Sequence, residues 1–176
     1  MPDFPIVRNV DPIVLSPLNP QSLGSMMNAM GLAFPNPTAW ITANKAFFIP
    51  ISIAGPVTVK KMFWFNGTVS GNVDVGIYDR GGNRLVSAGS TAQAGASAVQ
   101  EVDITDLLLK AGLYYLAMVM DNTTGQVELL NLSTGPAMFA GVAEMTSAFP
   151  LPATATFAAV SSARTPFVAA TLRTVV

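Results

Sequence analysis

The sequence predicts an all-β protein, an antiparallel β-sandwich or barrel preceded by an extended N-terminal arm. Three observations carry this. Short segments of alternating apolar and polar residues recur at intervals of about 8–12 residues, separated by Gly, Pro and Asn turns. Seven of the thirteen prolines fall in residues 1–44. The chain has 176 residues, 51% of them hydrophobic and 11% charged, enough for one core and far from the composition of a disordered chain. Two regions are expected: an arm over residues 1–44 and a sandwich domain over 45–176.

The arm contains Pro2, Pro5, Pro12, Pro17, Pro20, Pro35 and Pro37 and only three charges, Asp3, Arg8 and Asp11. Proline fixes φ and removes a donor, so neither a long helix nor a central strand fits there. Ile6, Val7, Ile13, Leu15, Phe34 and Trp40 are too apolar for a polar linker. An extended segment lying on a protein surface satisfies both facts. Residues 22–31 could form one or two helical turns, with Ser22 as cap and Gly31 as stop. Met26, Met27 and Met30 would give it an adaptable face or a local plug.

From Lys45 the pattern becomes strands. Lys45 to Ile53 is rich in Phe and Ile, which favour a pleated surface. Gly55-Pro56 is a turn. Val57 to Phe65 follows, with Val57, Val59, Lys61, Phe63 and Phe65 expected on one face and Thr58, Lys60, Met62 and Trp64 on the other. Asn72 to Asp79 alternates Val73, Val75 and Ile77 against Asp74, Gly76 and Tyr78. Asp79 to Asn83 is a glycine-containing hairpin loop, and Arg84 to Ala88 returns. Thr91 to Ser97 is a loop of small residues, and Val99 to Ile104 is a strand. Thr105 to Lys110 reads as a short capped turn stopped by Gly112. Leu113 to Asp121 is a long apolar strand, and Val127 to Leu132 another. Residues 136–149 fit a short helix or coil, and Phe167 to Arg173 closes the sheet.

Composition removes whole classes of function. There is no cysteine and no histidine, so disulfides, zinc fingers, Ser-His-Asp triads and histidine-bound metals are excluded in this chain. Nine basic against ten acidic residues leave a net charge of −1. That provides no basic footprint for nucleic acid. Mean hydropathy is +0.47, yet the most apolar run, Ala46 to Val59, is broken by Pro50, Ser52, Gly55 and Pro56. No membrane span is expected from it. The N-terminus lacks the basic-then-apolar order of a signal peptide. A surface this poor in charge is expected to meet other protein chains.

The block Gly71-Asn72-Val73-Asp74-Val75-Gly76-Ile77-Tyr78-Asp79, followed by Gly82-Asn83 and later by Ala111-Gly112-Leu113-Tyr114-Tyr115-Leu116-Ala117, resembles bacteriophage virion proteins with a jelly-roll-like β-sandwich. In those proteins a strand ending in Gly-x-Tyr-Asp leads into a Gly/Asn hairpin. The resemblance spans roughly residues 57–121. It implies a structural or attachment role on a virus particle, in a jelly-roll-like antiparallel sandwich. It also implies assembly, with a trimer favoured, and contact with the major capsid protein or other virion proteins. Fold alone does not choose between these roles.

Trp40, Met62, Trp64 and Tyr78 are the candidate interface or ligand patch. Exposed together, Met62, Trp64 and Tyr78 would make a sugar platform or a partner-binding surface; alternatively the aromatics form a buried layer beneath the arm or the facing sheet. Glu101, Asp103 and Asp106 are the carboxylates that could pair for glycoside hydrolysis, or form a solvated edge and a cap. Asp79, Asn83, Asp121 and Asn122 offer oxygen ligands in loops, though they are also ordinary turn residues. Asn66, Asn122 and Asn131 head glycosylation triplets, read as turns in a chain without a secretory signal. The expected function is that of a non-enzymatic virion protein needing no cofactor or metal, a capsid cement or decoration protein. The alternative is a carbohydrate- or receptor-binding module of a phage tail.

Overall fold

The computed structural model describes residues 37–131, 134–162 and 164–174. The part of the expected arm before residue 37, with the turns at 22–31 and Met26, Met27 and Met30, lies outside the described residues. In chain order the elements are β1 (Thr38–Ala39), β2 (Ala46–Ile53), β3 (Val57–Phe65), β4 (Asn72–Asp79), β5 (Arg84–Ser87), β6 (Thr91–Ala92) and β7 (Val99–Leu109). There follow β8 (Gly112–Met120), β9 (Gln126–Val127), β10 (Leu129–Asn131), the helix α1 (Thr134–Phe139), β11 (Ala143–Met145), β12 (Ala158–Ala159), β13 (Arg164–Pro166) and β14 (Val168–Thr174).

The strands build an antiparallel sandwich. The larger sheet has the order β12-β11-β2-β8-β4-β5, with β6 also on β4, and the smaller has the order β14-β3-β7. Strand β2 pairs with β8, β3 with β7, and β4 with β5. These three pairs nest around the β4–β5 hairpin, and the hairpin folds so that successive pairs alternate between the sheets. That is jelly-roll winding. Two small ladders, β1-β9 and β10-β13, lie beside the main sheets.

The core between the sheets holds Phe47, Ile51, Met62, Trp64, Val73, Val75, Ile77, Leu116 and Met118, all nearly inaccessible. Trp40 belongs to it, edge-on to Phe47 with ring centroids 5.5 Å apart. The folded unit therefore begins ahead of Lys45: β1 pairs with β9, and Trp40 donates from its backbone to Gly125. The expected boundary at residue 44 moves toward the N-terminus, because an indole that fills the core belongs to the domain.

Strand β3 departs from strict alternation. Its ladder with β14 shifts between Thr171 and Leu172, where Lys60 has no partner. A bulge of one residue exchanges the faces. Val57 and Val59 point inward before it, and Met62 and Trp64 point inward after it. The two lysines at the bulge remain half-exposed. The opposite strand is irregular at the same level, since Val59 faces Leu107 while Lys61 faces Asp103. Residues 105–109 are thus not a capped turn. They continue β7, because Leu107 and Leu109 alternate onto Val59 and Val57.

The outer face of the larger sheet is covered as well. Residues 148–157 cross it as a strap. Ala148, Leu151 and Ala155 bury against Ala46, Phe48, Tyr78, Ala117 and Val119. Phe157 packs on Phe48 and Tyr115, with ring centroids at 5.0 and 4.6 Å. The strap is bonded along its length. Leu151 donates its amide to Asp74 at 2.9 Å, and the Tyr78 hydroxyl donates to the Pro152 carbonyl at 2.6 Å. Arg84 donates from its guanidinium to Leu151 and from its backbone to Ala153. Ala155 and Gly82 join through a 2.8 Å backbone bond. Gly82 has φ +84°, and a Cβ there would lie 2.5 Å from the Ala155 carbonyl oxygen. Only glycine admits both the turn and the strap.

Candidate functional surface

None of the four residues expected to form an exposed patch is accessible. Trp40 is 1% exposed, Met62 0%, Trp64 2% and Tyr78 0%. The bulge at Lys60 turns Met62 and Trp64 into the sandwich. Tyr78 faces the other way and lies beneath the strap, so Trp64 and Tyr78 belong to different clusters on opposite sides of the larger sheet. They form no common platform.

Polar chemistry at Trp64 is internal. Its Nε1 donates to Asn66 Oδ1 at 2.7 Å, and Gln93 Nε2 donates to the same oxygen at 2.8 Å. The Asn66 amide nitrogen donates to the Ala94 carbonyl at 2.6 Å and to Gln100 Oε1 at 2.9 Å. A buried amide with two donors and two acceptor sites is thereby satisfied. Asn66 is 0% exposed, so it anchors this end of the sandwich and presents nothing for glycosylation.

The expected ligand groups are dispersed. Asp79 accepts from the Asn83 backbone and side chain, both at 2.9 Å, which closes the β4–β5 turn. These bonds hold its carboxyl below the usual range. Asp121 accepts from the Asn72 amide at 2.9 Å and from its side chain at 2.7 Å. Asn72 and Asp79 are the two ends of β4, about 23 Å apart at ~3.3 Å per residue. One ion cannot join them. Among the described residues no cluster of three acidic, histidine or cysteine side chains could hold a metal.

The three carboxylates lie on an exposed strand with lysine partners. Glu101 pairs with Lys61, which also reaches Asp103 at 3.4 Å, and Lys60 pairs with Asp106. The hydrogen bond that Lys61 donates to Glu101 raises its ammonium above the ordinary range. All three acids are exposed and paired with lysine ammoniums of the neighbouring strand.

Besides separate exposed residues such as Val99 and Leu108 on β7, two adjacent apolar side chains are exposed at the end of the molecule bearing α1. Phe139 is 96% exposed and Met138 50%. Only Ala137 of this six-residue helix is buried. Gly141, at φ +78°, reverses the chain against Pro50 and leaves Phe139 outside. Beside it opens a hollow of about 180 Å³, with Ile49, Ile51, Leu130, Val142, Phe167 and Val168 in its walls. Ala140, the residue after Phe139, is on its rim. Thr165 also lines it, and its buried hydroxyl has no hydrogen-bond partner. Sequence reasoning missed this surface, because a Phe in a Met-Phe-Ala stretch reads as core. The signal present was the absence of any charge from Leu129 to Ala143, the helix included.

No family model, curated protein or solved structure matches the chain. Among the described residues no helix is long and apolar enough to cross a membrane.

Proposed function

We propose that this chain is a non-enzymatic structural protein of a bacteriophage particle. It acts as a capsid cement or decoration protein that holds neighbouring subunits together in the virion. The observation that carries the reading is the fully exposed Phe139 beside Met138 and an apolar hollow, on a chain with only 11% charged residues. Burying such a surface is favourable at roughly 25 cal/mol per Å², and an apolar patch of this kind marks a protein contact. The proline-rich segment before residue 37 adds a second contact element. A proline-rich sequence loses less entropy when it is ordered against a partner. Assembly about three-fold positions, against the major capsid protein, follows from the resemblance of residues 57–121. The tail-module alternative drew on an exposed Trp64–Tyr78 platform, and burial of both rings leaves it without that support.

The test is genome retention on heating, measured on particles assembled with and without the chain. Particles carrying it are expected to release nucleic acid at a higher temperature. Identical release, or absence of the chain from purified particles, overturns the reading.

A further inference from the structure

The exposed Phe139 and the hollow are neighbours on one chain. Ala140 separates them: it follows Phe139 in sequence and sits on the hollow's rim. Phe139 does not fill its own hollow, since it is 96% exposed. A knob adjacent to its own hole has one simple closed arrangement. A two-fold axis passing near Ala140 places each copy's Phe139 in the other copy's hollow, and both contacts form together. A hollow of about 180 Å³ is of the size that accepts a single aromatic ring, as a cavity near 150 Å³ accepts benzene.

We propose that this end of the sandwich is a self-pairing surface, whose occupant is Phe139 of a second copy. Charge supports a like-with-like contact. Neither α1 nor the residues lining the hollow include an acidic or basic side chain, so two copies approach without like-charge repulsion. Area sets the strength. A buried aromatic accounts for about 150–250 Å². Two copies of Phe139 and Met138 with their hollows withdraw on the order of 800–1,000 Å², short of the ~1,200 Å² where stable interfaces begin. The pair is therefore weak alone and effective where copies are held close, as on a particle surface. This inference deepens the assembly reading and rests on it for its biological setting.

The experiment is oxidative cross-linking of the full chain, which contains no cysteine. Ala140→Cys places a thiol beside the axis. A covalent dimer is expected on a non-reducing gel. Leu85→Cys, a partly exposed control away from this surface, is expected to give little. Adding Phe139→Asp to Ala140→Cys is expected to reduce the dimer at least tenfold; the side chain is exposed, so the fold is spared. No dimer from Ala140→Cys, equal dimer from Leu85→Cys, or a dimer indifferent to Phe139→Asp overturns the self-pairing. If Phe139→Asp abolishes incorporation into particles while Ala140→Cys stays monomeric, the knob docks on a different protein. Self-pairing then falls and the particle role stands.

Discussion

Trp64→Ala is expected to be the most destabilising single truncation in the sandwich core. Trp64 is 2% exposed in the core between the sheets, and its Nε1 donates to Asn66. Truncating a buried Trp to Ala costs about 3–5 kcal/mol. Domains of this size have about 5–15 kcal/mol in total, so the variant loses from about a fifth of its stability to all of it. Trp64→Phe separates packing from hydrogen bonding. It keeps most of the ring volume and leaves Asn66 Oδ1 with its bond from Gln93. Its expected cost is about 1–2 kcal/mol. Urea unfolding midpoints measure both. A Trp64→Ala midpoint equal to that of the parent chain would place the indole on the surface and reverse the account of the β3 bulge.

The second large effect is expected at Asp74, which pins the strap. Its carboxylate accepts from the Ser87 hydroxyl at 2.7 Å and from the Leu151 amide at 2.9 Å. Asp74→Ala strands a buried amide and removes both bonds, at a cost of roughly 2–4 kcal/mol. The damage is expected to be local first, as faster hydrogen exchange across residues 148–157. Asp74→Asn retains an acceptor for Leu151 and a donor for Ser87, and is expected to stay within about 1 kcal/mol of the parent.

Acidity adds a signature. Burial raises the Asp74 carboxyl above its ordinary 3.8, against the lowering effect of the Ser87 and Leu151 hydrogen bonds. The folded state therefore holds this proton more tightly than the unfolded chain. The contribution of Asp74 is fully present below 3.8 and is lost as pH rises through the folded value. Asp79 and Asp121 shift the opposite way: their stabilisation is present above 3.8 and lost on acidification below it. The difference between parent and Asp74→Asn isolates Asp74. Relative to the variant, the parent is expected to weaken as pH rises from about 4 toward neutrality. A parent that strengthens over that range overturns the assignment.

Much of the sandwich was legible because its rules are local. Strands β2, β4, β5, β8 and β14 follow from alternation and from Gly, Pro and Asn turns. The face of Trp64 did not follow, because alternation counts every residue and a bulge adds one. The pair Lys60-Lys61 was the visible trace: two consecutive polar residues that break the alternation of Val57, Thr58 and Val59. The strap was hidden for a different reason. Tyr78, Asp74 and Arg84 find their partners about 70 residues later in sequence, and no periodicity encodes a contact between a strand and an irregular segment. The residues of the β4–β5 turn were read correctly as turn residues, and their hydrogen bonds show why oxygen-rich loops alone do not make a cation site. At Phe139 the hydrophobic rule itself misleads, since this apolar side chain is 96% exposed.

The central claim is that this sandwich carries surfaces made for assembly. It is tested most directly by the light-scattering mass of the full chain beside one beginning at Pro37, which keeps β1 and Trp40. The account predicts a defined oligomer for the full chain, and for the shorter one a mass near the 18.4 kDa chain less its arm, rising only weakly with concentration. Two monomers of constant mass at every concentration would contradict it.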